Sequence, residues 1–340
     1  MTDLRAVFAD PRTMGLSNFG QMSAAADFLG NGAIEINRYE PEIFDIVARS
    51  SLFLNRIDNK PATGHPHRYF EETAIGTATF ADPRNIAPTP TGPTRIENAA
   101  FIKALTAQTN LSLFDVDVTR QQGQFAYLEA KDIQDAVNAI VRLQAANVWN
   151  GNDTSLSAPT TQQYMGILTQ ISAQSTIGLG ASIIDGLKSV VAAMVARTDF
   201  DVMPTGIFIN PVLGDLIDRE AKAQHIDLGE VDVGAGVKVS GLNTQAGRLP
   251  LISEKWIPSA SAAQYGFAAP PSGKNNYFAA IVTEKAIEMP FIHGGDGNPK
   301  PRIFQLGLLA GLQGQYVAAK FDTIIAKGPS YAHMVVAVTR

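Results

Sequence analysis

From Glu129 to Ala146 the chain carries an amphipathic helical pattern, and this pattern runs directly into NVWNGNDTSLSAPTTQQYMGILTQ, residues 147–170. Ile133, Val137, Ile140 and Val141 recur on one helical face with Leu143 beside them, while Lys131, Asp132, Asp135, Asn138 and Arg142 take the other. The spacing predicts one long helix with an apolar stripe. Asn150-Gly151 is expected to end it, because glycine accepts the left-handed conformation that closes a helix, and Asn152, Asp153 and Thr154 continue as loop toward an uncharged Gly166-Ile167-Leu168 turn. A second helix is expected from Ser182 to Ala196, burying Ile183, Leu187, Val190, Val191, Met194 and Val195.

Strand signals alternate with these helices. Gly206–Ile209 reads as a short buried strand, Asn210-Pro211 as the turn that ends it, and Leu213, Leu216 and Ile217 as the start of an amphipathic helix. Gly247–Ser253 reads as a strand running toward Trp256 and Pro258, and Tyr277–Pro290 as another. Asp115-Val116-Asp117-Val118 alternates like an edge strand with one wet face. The uncharged run between Arg302 and Lys320 is broken by Gln305, Gln313, Gln315 and three glycines, so it suits a pair of strands, or one long strand, better than a membrane span. Two helices and several strands make an α+β protein.

Residues 52–93 predict an extended excursion. Thr73–Phe80 is rich in strand-favouring residues, and Arg56, Asp58, Lys60, Arg68, Glu71 and Glu72 scatter both charge signs around it, with Arg84 among the prolines that follow. Pro83, Pro88, Pro90 and Pro93 hold the backbone extended and remove amide donors. A protruding two-stranded hairpin is marginal in water and gains order by lying on a neighbour, which favours an oligomer; an ordinary surface excursion packed on its own domain is the alternative. Upstream, Gly30, Asn31 and Gly32 break Phe28–Ile36, and Pro41–Ala48 reads as a helix start with Ile43, Phe44 and Val47 on one face.

Composition narrows the chemistry. The 340 residues, 45% hydrophobic and 17% charged, are enough to bury a full core, and the absence of cysteine removes disulfides, thiolate metal sites and thiol nucleophiles. Net charge is −5 and no two basic residues are adjacent, so no basic patch for tight nucleic-acid binding is visible. The first residues carry Asp3 and Arg5 with no apolar run behind them, so no signal peptide is expected. His65 and His67, with His225 or His293, are the best candidates for a metal-dependent enzyme, but the His-Glu-x-x-His spacing is absent. Gly328-Pro329-Ser330 near His333 is no substitute for a Gly-x-Ser-x-Gly elbow, and no Gly-rich phosphate loop occurs at Asn210-Pro211. No catalytic residue, cofactor or metal site is expected.

Taken in order, these elements resemble the major capsid proteins of tailed bacteriophages, which share the HK97 fold. The resemblance implies an N-terminal arm over residues 1–51 and an extended hairpin, the E-loop, over 52–93. It then implies a peripheral domain with a long spine helix over 94–200, an axial domain over 201–280, and C-terminal strands returning through both over 281–340. It implies a shell of hexamers and pentamers around double-stranded DNA, held without sequence specificity, and assembly in the host cytoplasm into a virion. Portal protein and a separate scaffold or decoration protein would be partners, because no room for an internal scaffolding segment precedes Leu52. Arg56, Asp58, Lys60, Arg68, Glu71, Glu72 and Arg84 would be E-loop candidates for contacts between subunits. Covalent crosslinking through Lys60 is not expected, since no asparagine follows Asn298. An encapsulin-type compartment, which shares the fold but carries enzyme cargo, is the alternative within the resemblance.

Overall fold

The computed structural model describes residues 51–84, 91–112, 128–233, 237–293, 297–309 and 313–340, with 114, 117, 118 and 121 between them. The chain divides into two compact units, residues 1–44 and 45–340, and all described residues belong to the second. The expected N-terminal arm, apart from Ser51, lies outside the described residues, as do Pro88 and Pro90.

The strands are β1 (Asp58–Pro61), β2 (His67–Ala74), β3 (Thr94–Ala100), β4 (Lys103–Ser112), β5 (Gln174–Ile177), β6 (Gly206–Ile209), β7 (Glu230–Asp232), β8 (Lys238–Thr244), β9 (Gly247–Ser253), β10 (Ser259–Ala260), β11 (Asn276–Val282), β12 (Ile287–Ile292), β13 (Arg302–Leu309), β14 (Gln313–Asp322), β15 (Ile325–Ala326) and β16 (Met334–Thr339). The helices are α1 (Leu128–Asn150), α2 (Ile167–Gln170), α3 (Ile183–Val195) and α4 (Pro211–Ala223).

An eight-stranded mixed sheet, in the order β5-β16-β11-β6-β9-β8-β7 with β10 on β11, is buried on both faces. The period of two decides which side chain goes where. Ile207, Ile209, Ala279, Ile281, Val336 and Val338 meet the apolar stripes of α3 and α4 on one face. Phe208, Phe278, Ala280, Val335 and Ala337 point the other way, into a core shared with Phe53 and Trp149. The Trp149 ring centroid lies 4.5 Å from Phe53 and 5.4 Å from Phe208. Double burial explains why these strands read as continuous apolar runs.

A second sheet has β14 at its centre. β4 pairs along one side of β14, β13 and then β12 along the other, and β1 extends the sheet parallel to β12. Helix α1 crosses β4 and β14, and one polar group reaches inward from its buried side. Asp322, fully buried on β14, accepts hydrogen bonds from Gln144 Nε2 on α1 (2.7 Å) and from the Tyr164 hydroxyl, and pairs with Lys320 at 2.9 Å. Burial raises the Asp322 pKa against the opposing pull of Lys320 and Tyr164. The network ties α1, the 147–170 segment and β14 together through one buried carboxylate.

Two helices are capped by side chains that the sequence marks as a helix start and a turn. Ser182 Oγ caps α3 by accepting from the Asp185 amide (3.1 Å), and Asn210 Oδ1 caps α4 by accepting from Val212 (2.9 Å), with Pro211 in the first turn. The helix whose pattern spans 129–146 continues to Asn150 and ends there, at the expected Asn150-Gly151 stop.

Other expectations are corrected. Gly151 does not take a left-handed conformation: a Cβ there would strike the Tyr164 carbonyl and come within 2.8 Å of the Asn147 carbonyl. At Gly166 a Cβ would lie 2.5 Å from the Trp149 carbonyl. Both glycines are needed because two backbones touch, with Gly166 N donating to Gly151 O at 3.3 Å. The span Tyr277–Pro290 is two strands in different sheets, β11 and β12, separated by a 3-10 turn at Glu284–Ala286. Asp117 and Val118 are helical, not an edge strand; among the described residues the β4–β14 ladder ends at Ser112 opposite Gln313. Asp115 and Val116 fall outside the described residues. Arg302–Lys320 does form a pair of strands, β13 and β14. No helix among the described residues is long and apolar enough to cross a membrane.

Candidate interaction surface

The excursion predicted for 52–93 is a hairpin whose root and return strand lie elsewhere. Leu52–Arg56 forms turns, with Phe53 and Ile57 buried in the core, and β1 is a member of the β14 sheet. The hairpin proper is β2 paired with β3 in a separate two-stranded sheet, from His67 opposite Ala100 to Ala74 opposite Thr94. The returning strand therefore starts just after Pro93, at the first residues free of proline. Beyond Ala74, the Thr77 amide donates to Thr91 Oγ1 (2.8 Å) and that hydroxyl donates back to the Thr77 carbonyl (3.2 Å), so threonines carry on where the ladder stops.

The two faces of the hairpin differ. On the outer face Phe70 is 68% exposed, between the Arg68–Glu97 pair (2.8 Å) and the Arg95–Glu72 pair (3.0 Å). Both pairs are solvated and contribute at most about 1 kcal/mol each, so their effect is on strand register. Ile96, half-exposed, lies opposite Glu71 and so on the inner face; toward the tip Ile75 and Phe80 stand almost fully in solvent. Charge is balanced across this face and apolar side chains occupy its centre and tip. Patches of this make-up mark interaction sites.

The inner face holds His67, Tyr69, Glu71 and Thr73. It borders a cleft of about 290 Å³ whose far wall is Thr154–Ser157, Ala326 and Pro329. Glu71 Oε1 accepts from the Gly328 amide (3.2 Å), and Lys327 Nζ lies 5.5 Å from the centre of the Tyr69 ring. Lys327 also pairs with Glu288 at 2.8 Å, and Lys60 holds the other carboxylate oxygen. Burial would raise the Glu288 pKa, but the two ammonium groups outweigh it and hold the carboxyl below its ordinary value. Burial, with Glu71 and Glu288 nearby, pushes the Tyr69 phenol well up.

The candidate contact residues thus separate. Arg56 is turned inward onto Glu284 and the Val233 carbonyl (2.9 Å), and Lys60 onto Glu288. Asp58 is exposed on β1. Arg68, Glu72 and Arg84 are exposed on the hairpin, and Glu71 is on its inner face. Phe70, Ile75, Phe80 and Ile96 were not among the candidates. For Phe70 the signal was the alternation itself: it sits two residues from Arg68 and two from Glu72, hence on their wet face.

The histidines serve as hydrogen-bond partners. His65 Nδ1 accepts from the Ile102 amide (3.4 Å) and His67 Nδ1 from the Thr63 amide (3.3 Å). Among the described residues no three His, Cys, Asp or Glu side chains converge as metal ligands.

The 147–170 segment braces the hairpin root. Asp153, fully buried, pairs with Lys103 at 2.6 Å and accepts from the amides of Thr154 and Thr160, both at 2.9 Å. Burial works to raise its pKa, yet Lys103 and these amides bring the carboxyl down to about 2. The Phe101 amide, one residue past β3, donates to the Leu156 carbonyl of this loop (3.0 Å).

No family model and no curated protein matches the chain in sequence. Solved structures match it over most of its length. The capsid of a native GTA particle superposes with a TM-score of 0.67 at 13% identity, covering 92% of this chain and 98% of that one. The head structure of Helicobacter pylori bacteriophage KHP40 gives 0.63 at 7% identity, with coverage of 91% and 95%. The holo-SrpI encapsulin complex from Synechococcus elongatus PCC 7942 gives 0.58 at 11% identity, with coverage of 92% and 94%.

Proposed function

We propose that this chain, an α+β protein with the HK97 fold, is the major capsid protein of a tailed phage, assembling as hexamers and pentamers into an icosahedral shell around double-stranded DNA. The observation that carries the reading is the β2–β3 hairpin: its root is tied to the body, but Phe70, Ile75 and Phe80 are left in solvent on a two-stranded element, and nothing in the described chain covers them. Covering each aromatic ring with a neighbouring subunit is worth roughly 1.5–3 kcal/mol. Because each subunit meets several neighbours at once, a few kcal/mol per contact suffices to close a shell.

In this reading the hairpin is the E-loop, the β14 sheet with α1 is the peripheral domain and its spine, and the eight-stranded sheet with α3 and α4 is the axial domain. Asp58, Arg68, Glu72 and Arg84 are the candidate contacts exposed to set register with a neighbour, Arg68 and Glu72 by exchanging their solvated partners; Arg56 and Lys60 position the root. The work is binding, and no catalytic step is assigned. Packaged DNA is contacted without sequence specificity, and mild net acidity (−5) suits a lumen along which a genome must slide. Portal protein and a separate scaffold or decoration protein are the further partners, and assembly takes place in the host cytoplasm.

The likeness to the SrpI encapsulin supports a second reading, a cellular compartment around a protein cargo. Purified particles from the native source decide between them. Nuclease-protected double-stranded DNA is the expected content; a stoichiometric enzyme in its place would assign the chain to a compartment.

A further inference from the structure

The chain crosses between the two large sheets at Thr283–Ala286, from β11 to β12, and again at Lys327–His333, from β15 to β16. One buried side chain joins these crossovers. His333 Nδ1 accepts from the Thr283 amide (3.3 Å) while Nε2 donates to the Lys327 carbonyl (3.1 Å). The Lys327 amide in turn donates to the Ala286 carbonyl (2.8 Å). The Lys327 backbone is therefore gripped by both crossovers, and its side chain extends to the hairpin root, between Glu288 and the Tyr69 ring. The next residue, Gly328, has φ +65 and aims its amide at Glu71.

The hairpin's remaining polar contacts are largely internal: Arg68 to Glu97, Arg95 to Glu72, and Thr77 to Thr91. Its inner face stands over open space, the cleft against Thr154–Ser157, so the body leaves it room to swing. We propose that Lys327 and Gly328 form a latch on Tyr69 and Glu71 that fixes the angle of the hairpin to the junction between the two sheets, making Lys327 a positioning residue. Any shift of one sheet against the other moves the Lys327 backbone and is transmitted to the hairpin as a rotation about its root. The inference concerns one chain and holds whether or not the shell reading does.

The absence of cysteine makes the test direct. Nitroxide labels on Ala74→Cys, at the far end of β2, and Asp218→Cys, exposed on α4, report the hairpin angle by pulsed dipolar spectroscopy, with labelled chain diluted into unlabelled chain. Lys327→Met keeps the aliphatic stem and removes the charge; Glu71→Leu removes the acceptor. Both are expected to move or widen the distance distribution beyond its wild-type spread, Glu71→Leu with melting temperature little changed and Lys327→Met with a lower one, because Glu288 then keeps only Lys60. Glu71→Gln, which retains an acceptor oxygen, is expected to leave it as in wild type, as is Arg68→Gln on the outer face. Distributions for Lys327→Met and Glu71→Leu that coincide with wild type would overturn the latch, as would an equal change in Arg68→Gln. Should Lys327→Met fail to fold, the contrast between Glu71→Leu and Glu71→Gln decides alone.

Discussion

His333 has no exposed surface, and its two hydrogen bonds define a neutral ring with the proton on Nε2. Burial lowers its pKa from 6.5 to about 4, against the pull of the Lys327 carbonyl. The unfolded chain takes up a proton near pH 6.5 that the folded chain refuses until about pH 4. Stability from this residue is therefore complete above pH 6.5 and declines as pH falls toward 4, at about 1.4 kcal/mol per pH unit and about 3 kcal/mol in all. His333→Gln, which can accept from Thr283 and donate to Lys327 without titrating, is expected to flatten the denaturant-midpoint profile across that window. A variant profile as steep as wild type would remove His333 from the explanation. The sequence marked His333 only by its nearness to Ser330, because the amide it caps is fifty residues away. Gly151 and Gly166 were legible as turn residues, but the reason for them was not: mutual backbone approach depends on how 147–151 and 164–166 fold back, which local propensity does not encode.

At the scale of elements, what the sequence disclosed was what a local period or cap controls. The helix α3 and the β6, Asn210, α4 unit stand as expected, and α1 forms where its period placed it, burying Ile140 but leaving Leu143 48% exposed while Gln144 turns inward. Pairing was not legible in the same way. β11 and β12 are contiguous apolar runs, and only the partners they find place one beside β6 and β16 and the other beside β14. The hairpin shows the same limit. Its charges and prolines were visible, but the withdrawal of 52–61 into the body and the return through 94–100 follow from Phe53 and Ile57 packing in the core and from β1 joining β12. Replacing residues 69–98 by Asn-Gly, which closes the ladder between Arg68 and Ala99, removes Phe70, Ile75, Phe80 and Ile96 together. The product is expected to melt cooperatively close to wild type and to form no closed particles. Particles from that variant would show that the hairpin is not the element joining subunits.

For the whole molecule, the order of elements carried more than any single motif, since each motif is a few apolar residues around Gly or Asn-Pro. The α+β class and the HK97 fold expected from that order are borne out by capsid structures of 7–13% identity, over more than nine-tenths of the chain. The measurement that bears most directly on the account is the size of the protein expressed alone, taken by light scattering and imaged in the same fraction by electron microscopy. Closed shells, or hexamers and pentamers that close when the neighbouring genes are co-expressed, are the expected result. A compact monomer or dimer that never assembles, even with those genes present, would contradict it.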